Sequence, residues 1–239
     1  MPDLSSISAA ILAGGPGTRL RPLVADRPKG LAIIRNRPFL AWQLDQLAAA
    51  GIRHAVLCTG YMGDMIQSTL GPSHGPIRLT YSRETAPLGT GGALGLAVPM
   101  LHSDPVLVLN GDSYCHADFS AFFQFQQLNP AHPALFLTHV PDISRYGQVL
   151  TDETGRVAHF AEKSAPTQPP TAGYINAGIY LLPRSFIAAI PSDRSVSIEK
   201  ETFPAAIPVG LFAYRAHAPF LDIGTPESYR AADDFFAHL

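Results

Sequence analysis

The chain has 239 residues, of which 46% are hydrophobic and 15% charged, and a formal net charge of −2. That length and apolar content can bury a sizeable core as a single domain. The near-neutral charge, with no basic run, argues against nucleic acid or a membrane surface as partner.

Asp3 precedes the first apolar run with no basic residue, and Gly14-Gly15 cuts that run short. No secretory signal or bilayer-spanning stretch is expected, and the expected location is cytoplasmic. Ile7 to Leu12 reads as a buried first strand. It leads into Ala13-Gly14-Gly15-Pro16-Gly17-Thr18-Arg19-Leu20-Arg21-Pro22, with Pro28-Lys29 just beyond. Clustered glycines let successive backbone N–H groups converge on anionic oxygens. Arg19 adds a planar fork of donors and Lys29 a point charge, so the stretch is suited to a polyphosphate. It is neither of two familiar phosphate loops. Leu20 stands where a dinucleotide fingerprint needs its third glycine, and no Gly-Lys-Ser/Thr triplet opens a helix.

After Pro38, the spacing of Leu40, Leu44, Leu47 and Ala48 predicts a helix ended by Gly51. Ile52 to Cys58 follows as a strand, Tyr61 to Leu70 as a short helix, and Ile77 to Ser82 as a third strand. Pro87-Leu88-Gly89-Thr90-Gly91-Gly92 opens an Ala/Leu/Val-rich helix that stops near Pro99. Pro105 to Leu109 is apolar throughout, as a central parallel strand should be. This alternation predicts an α/β fold with a doubly wound, mostly parallel sheet. Cys58 and Cys115 each adjoin an apolar run and read as buried free thiols. Phe119, Phe122, Phe123 and Phe125 suggest one crowded helix face.

From about Pro133 the pattern becomes strand-like: Leu135 to Val140, Gly147 to Thr151, Arg156 to Glu162 and Tyr174 to Leu182, with a Pro-rich loop over 166–170. A partly antiparallel lobe laid against the first half is expected, making the whole sheet mixed. Phe220 to Ile223 reads as a last short strand. Thr225-Pro226-Glu227 supplies an N-cap, a first-turn proline and an acid at the dipole's positive end of the final helix. There is no internal repeat, and no hexapeptide β-helix is expected after that helix.

Two acids stand at strand ends. Asp112, in Asn110-Gly111-Asp112, would emerge at the carboxyl end of the central strand, where open α/β sheets bind ligands. Asp222 lies between Leu221 and Ile223, where a solvated carboxylate is unexpected. Glu84 closes the third strand. His116 is set aside, because Mg²⁺ prefers oxygen ligands.

The glycine-rich stretch, Gly-Gly-x-Gly-Thr-Arg-Leu-x-Pro followed by Pro-Lys, resembles the signature of the sugar-1-phosphate nucleotidyltransferases. Within them the chain is most similar to the D-glycero-D-manno-heptose 1-phosphate guanylyltransferases. The supporting stretches are Pro87 to Ala93, Ile175-Asn176-Ala177-Gly178-Ile179-Tyr180, Ser197-Ile198-Glu199-Lys200 with Phe203-Pro204, and Asp222 to Glu227. Gly30 departs from the pattern where many relatives have a second proline, and Thr85-Ala86 where many have acids. The resemblance covers nearly the whole chain. It implies a Rossmann-like domain whose nucleotide-binding half spans about 1–130 and whose sugar-phosphate-binding half spans about 131–239.

The implied substrates are a nucleoside triphosphate and a sugar 1-phosphate. The resemblance places base reading at Glu84 and the loop from Leu88 to Gly92. An ionised carboxylate only accepts hydrogen bonds, and guanine offers N1–H and an amino group side by side, whereas uracil flanks its one N–H with carbonyls, so Glu84 leans to GTP. The implied cofactor is Mg²⁺ on Asp112 and Asp222. Nucleotide-binding residues would be Leu12, Ala13, Gly14, Gly15, Gly17, Thr18, Arg19, Lys29, Glu84, Gly89, Thr90 and Gly111. The sugar phosphate would be held by Gly147, Glu162, Lys163 and Asn176, and the catalytic cations would be Arg19, Lys29 and Lys163. The assembly state is left open, with a homodimer among the allowed forms. Competing readings are a uridylyltransferase acting on an amino sugar phosphate and an inactive nucleotide-binding regulator. A nicotinamide dehydrogenase lacks its fingerprint here, and a metal-dependent glycosyltransferase lacks its Asp-x-Asp.

Overall fold

Successive residues of the first strand, β1 (Ser8–Ala13), face opposite sides of a sheet. Ala9 and Ile11 join one core cluster, while Ala10 and Leu12 pack with the other. Helices cover both faces, which is why this strand is apolar throughout rather than alternating. The computed structural model describes residues 2–146, 148–161 and 171–239.

The chain alternates from there through α1 (Phe39–Ala49), β2 (His54–Thr59), α2 (Gly63–Leu70), β3 (Ile77–Arg83), α3 (Gly89–Ala97) and β4 (Val106–Asn110). β1 lies between β2 and β4 and is parallel to both, with β3 parallel to β2 on the outside. The winding reverses between β1 and β4, and such a switch point opens a crevice at the strands' carboxyl ends.

The second half continues with β5 (Ser113–Cys115), α4 (Phe119–Gln126), β6 (Ala134–Val140), β7 (Gln148–Thr151), β8 (Val157–Ala161) and β9 (Gly173–Leu182). α5 (Arg184–Ala188), a π-helical turn (Ile198–Thr202), α6 (Phe203–Ala206), β10 (Phe212–Ala216), β11 (Phe220–Asp222), α7 (Pro226–Arg230) and α8 (Ala232–Ala237) complete it. β9 runs antiparallel to β4 and also to β6, and β10 joins β6 in parallel. The partly antiparallel portion expected from the sequence is joined to the first half through β9, and its strands extend the same mixed sheet. β9 is ten residues long, enough to bond β4 with its second half and reach past it with its first. The Pro-rich loop expected over 166–170 lies outside the described residues.

Local signals end the elements as expected. Asp118 caps α4 by accepting the Ala121 N–H at 2.9 Å. Thr225 and Ser228 form a reciprocal capping box at α7. Phe119 and Phe122 are buried, with Phe123 and Phe125 packed beside them. Cys58 and Cys115 are free and buried. Among the described residues no helix is long and apolar enough to cross a membrane.

A third, smaller cluster supports the glycine-rich stretch from beneath. It joins Leu20 and Val24 to Phe39, Tyr114, Leu221, Ile223 and Phe236. Phe236 on α8 stacks on Trp42 at 4.4 Å between centroids and meets Tyr114 edge-on at 4.9 Å. Phe236→Ala should lower unfolding stability by about 3–5 kcal/mol, the range for truncating a buried aromatic. Urea unfolding should show a lower midpoint at an unchanged slope, with anion binding at the loop weakened in parallel.

Candidate active site

The carboxyl ends of β1 to β4 converge on a cavity of about 1080 Å³. Leu12 to Gly17 form one wall, Cys58, Gly60, Tyr61 and Arg83 to Pro87 a second, and Asn110 to Asp112 the floor. Lys29, Gly89, Thr90 and Glu199 close the remaining side.

The glycine-rich stretch turns at Gly17, whose φ of +58 places it in the left-handed region. Leu20 and Arg21 both donate backbone N–H groups to the Gly17 carbonyl, at 3.0 and 3.3 Å. Buried Leu20 pins the turn to the third cluster and leaves Thr18 and Arg19 on its exposed side. Arg19 Nη2 lies 3.2 Å from where a Cβ on Gly224 would stand, so its guanidinium covers the turn that follows Asp222.

Lys29 begins a single 3₁₀ turn (Lys29–Leu31) and sends its ammonium across the loop. Its Nζ lies 2.5 Å from Asp112 Oδ2, with 14% of the lysine side chain exposed and 43% of the aspartate's. The second acid reaches the same place through backbone pairing. β11 runs antiparallel to β5 with Asp222 opposite Ser113, and the Ile223 N–H donates to the Asp112 carbonyl at 3.0 Å. Asp222 accepts the Gly224 N–H on Oδ1 and borders the cavity without lining it.

Two acids brought close by backbone pairing offer hard oxygen donors of the kind Mg²⁺ takes, an ion that needs few protein ligands and completes its shell with water and phosphate oxygens. The Lys29 ammonium already occupies one of those oxygens as a cation would. The donor set therefore fits the metal expected of it. No cluster of three or more His, Cys, Asp or Glu able to hold a metal occurs among the described residues.

Glu84 continues the β2–β3 ladder by donating its N–H to the Thr59 carbonyl at 2.9 Å. Its Oε2 accepts the Leu88 N–H at 3.0 Å, which ties down the segment before α3. The other oxygen packs so tightly on the loop that a Cβ on Gly14 would lie 2.7 Å from it. Glycine at position 14 is what allows this approach. Burial raises the Glu84 pKa, opposed by the Leu88 N–H. Cys58, also in the cavity wall, is pushed up to about 12 by burial and then by Glu84, so its thiol is unreactive near neutral pH.

The Gly89 and Thr90 end of α3 is fastened to a distant segment. Val196 donates to the Leu88 carbonyl and Gly91 donates to the Val196 carbonyl, each at 2.8 Å. The Thr90 hydroxyl donates to Glu199 Oε2 at 3.0 Å and accepts the Ile198 N–H at 2.9 Å.

Asn176 stands apart from the cavity wall. Its Oδ1 accepts the Gly178 N–H and its Nδ2 donates to the Tyr180 hydroxyl, both at 2.9 Å. These bonds hold the irregularity in β9 where its register with β6 shifts, leaving one amide N–H for any ligand. Gly147, Glu162 and Lys163 lie outside the described residues.

Tyr61, Asn110 and Glu199 line the cavity although the sequence reading gave them no role. Glu199 had a legible signal. Ser197-Ile198-Glu199-Lys200 already stood out as a motif, and an acid beside buried Ile198 invites the question of what it faces.

A nucleotidyl transferase family model matches residues 8–238. The chain is 38% identical over 227 residues to a mannose-1-phosphate guanylyltransferase of Mycobacterium tuberculosis, which covers 93% of this chain and 62% of that protein. It is 37% identical over 229 residues to the mannose-1-phosphate guanylyltransferase catalytic subunit beta of Xenopus tropicalis, with the same 93% and 62% covered. The chain thus spans somewhat under two thirds of the length of these curated relatives. The crystal structure of HddC from Yersinia pseudotuberculosis is similar with a TM-score of 0.84 and 32% identity, over 96% of this chain and 99% of that one. HddC complexed with GMP-PN gives a TM-score of 0.83 at 30% identity, over 96% and 99%.

The partly buried position of Glu84 makes its own contribution to pH dependence. A carboxyl whose pKa rises on folding is relatively favourable while protonated, and that contribution is lost as pH rises from the ordinary 4.5 through the folded value. Urea midpoints of the wild type should therefore fall relative to Glu84→Gln as pH rises above 4.5. Parallel pH profiles for the two proteins would contradict this.

Proposed function

The chain belongs to the nucleotidyl transferase family, and on that premise we propose that it transfers GMP from GTP to a sugar 1-phosphate, releasing pyrophosphate. What carries the reading is the Lys29–Asp112 ion pair in a cavity built on glycine-rich backbone, with Asp222 brought beside Asp112 by backbone pairing. The sugar is proposed to have the manno configuration, with D-glycero-D-manno-heptose 1-phosphate as the specific substrate. The printed names of the curated relatives support a manno ring, and the sequence motifs support the heptose.

A phosphate oxygen of the sugar phosphate attacks the α-phosphorus of GTP. A new P–O bond forms, the bond between α-phosphorus and the bridging oxygen breaks, and pyrophosphate leaves with that electron pair. The nucleophile's second pKa is near ~6, so it is mostly ionised at neutral pH and needs no general base. The barrier lies in bringing two polyanions together, and positioning with charge stabilisation lowers it. Arg19 and Lys29 face the triphosphate. Lys29 exchanges its bond to Asp112 for the entering phosphates, which offer more negative charge than one carboxylate. Lys163 is proposed to hold the attacking phosphate, with Glu162, Asn176 and the backbone at Gly147 on the sugar. Mg²⁺, held by Asp112 and Asp222, would add positive charge beside the reacting phosphoryl group.

Guanine is proposed to rest against Gly14 and the segment from Glu84 to Gly89. The Glu84 carboxylate can take guanine's adjacent donors only with lone pairs left after its bond to Leu88. An amide there can keep the Leu88 bond while placing an N–H against one of guanine's donors. Glu84→Gln should narrow the preference for GTP over UTP in kcat/KM by ~1–3 kcal/mol. An unmoved ratio would remove Glu84 from base recognition.

Four nucleoside triphosphates against a panel of sugar 1-phosphates, mannose and the heptose included, test the proposal by pyrophosphate release. GTP with a manno sugar should be fastest, and a best rate with UTP and an amino sugar phosphate would overturn it. Asp112→Asn and Asp222→Asn should each remove ~2 kcal/mol or more of transition-state stabilisation without unfolding the chain. Wild-type kcat in either variant at saturating Mg²⁺ would contradict the shared site.

A further inference from the structure

Glu199 faces the cavity from the π-helical turn and belongs to neither group of residues assigned above. Its Oε2 accepts from the Thr90 hydroxyl at 3.0 Å and lies 3.5 Å from Ser197 Oγ. Its Oε1 lies 3.3 Å from the Tyr180 hydroxyl and 3.5 Å from Asn110 Nδ2. Every one of these neighbours is neutral. None of the ion pairs found among the described residues includes Glu199.

A carboxylate with no cation paired to it among the described residues repels phosphate, so its place in this cavity suits a different part of the substrates. Lys29 and Arg19 mark the phosphate side by their positions on Asp112 and beside the Asp222 turn. What a carboxylate can take is a hydrogen-bond donor, and a sugar ring presents neutral donors in its hydroxyls. The two oxygens provide about four lone-pair sites in all, and three of the four contacts made to them are 3.3 Å or longer. Beside it, Asn110 Oδ1 is buried with no hydrogen-bond partner among the described residues, a second acceptor in the same part of the cavity.

The surroundings hold this wall rigid. Tyr180 is fully buried and its hydroxyl receives Asn176 Nδ2 at 2.9 Å, while Thr90 is fixed by the Ile198 N–H. A side chain held by α3, β9 and the π-helical turn at once is placed to discriminate rather than merely to solvate.

We propose that Glu199 is a specificity-determining residue that accepts a hydrogen bond from a sugar-ring hydroxyl of a substrate. The hydroxyl belongs either to the sugar 1-phosphate or to the ribose of the nucleotide. This rests on the transfer reaction proposed above. Loss of a hydrogen bond to a charged acceptor is worth ~10-fold or more in kcat/KM.

The test is a cycle between enzyme and substrate. Wild type and Glu199→Ala are assayed with GTP and mannose 1-phosphate or its monodeoxy derivatives, and with 2′- and 3′-deoxy GTP. Glu199→Gln serves as the shape-conserving variant, and thermal unfolding of all three controls for folding. One deoxy substrate should lose ~10-fold or more with wild type and less than ~2-fold with Glu199→Ala. A deoxy sugar phosphate behaving so assigns the contact to that substrate, and a deoxy nucleotide assigns it to the ribose. If Glu199→Ala lowers every rate by one common factor, the residue only supports the fold there and the proposal is overturned. If wild type transfers GMP to no sugar 1-phosphate, the transfer reading fails first and the proposal fails with it.

Discussion

A ladder between two three-residue strands, β5 and β11, decides where the charge of this molecule meets. Asp112 precedes one strand and Asp222 ends the other, so pairing Ser113 with Asp222 brings the backbones of two acids from distant chain segments together. Cations from the glycine-rich stretch and from Lys29 just beyond it stand beside both. Lys29 lies on Asp112, and the Arg19 guanidinium covers the turn after Asp222. The apolar cluster below, from Leu20 and Tyr114 to Leu221, Ile223 and Phe236, holds ladder and loop in one unit. The loop's charged residues and the C-terminal packing are thus the same piece of structure.

The remaining polar groups follow from what such a site excludes. Glu84 and Glu199 face the cavity with no cation paired to either among the described residues. Each is held instead by neutral donors: the Leu88 N–H for Glu84, the Thr90 and Tyr180 hydroxyls for Glu199. Acids anchored this way suit uncharged parts of a ligand, while the lysine and arginine suit phosphate. The cavity therefore separates into a cationic side around Lys29 and hydrogen-bonding walls around Glu84 and Glu199.

Much of this was legible because the signals were local. An all-apolar run before a glycine cluster specifies a buried parallel strand with a ligand loop at its end, and β1 is that strand. Asp222 was conspicuous because a carboxylate between Leu221 and Ile223 violates the apolar pattern of a short buried strand. Thr225 and Pro226 announced α7 through capping chemistry alone. The less legible features depend on pairing across distance. That β9 adds to β4, making one continuous sheet, follows from strand register and from nothing local in Gly173–Leu182. The bracing of Gly178 and Tyr180 by the Asn176 amide is likewise invisible locally, because the strand irregularity it holds exists only once β6 and β9 pair. Glu199 was passed over for the same reason: its partners Thr90, Asn110 and Tyr180 come from three other elements.

The central claim is that Asp112 and Asp222 act as one divalent-cation site. Mn²⁺ binding followed by electron paramagnetic resonance, with a non-hydrolysable GTP analogue present, measures this without turnover. Mn²⁺ affinity should fall sharply and to a similar degree in Asp112→Asn and Asp222→Asn, with the two changes together adding little beyond either alone. Wild-type affinity in Asp222→Asn would show that the β5–β11 ladder brings the carboxylates together without making them a shared site.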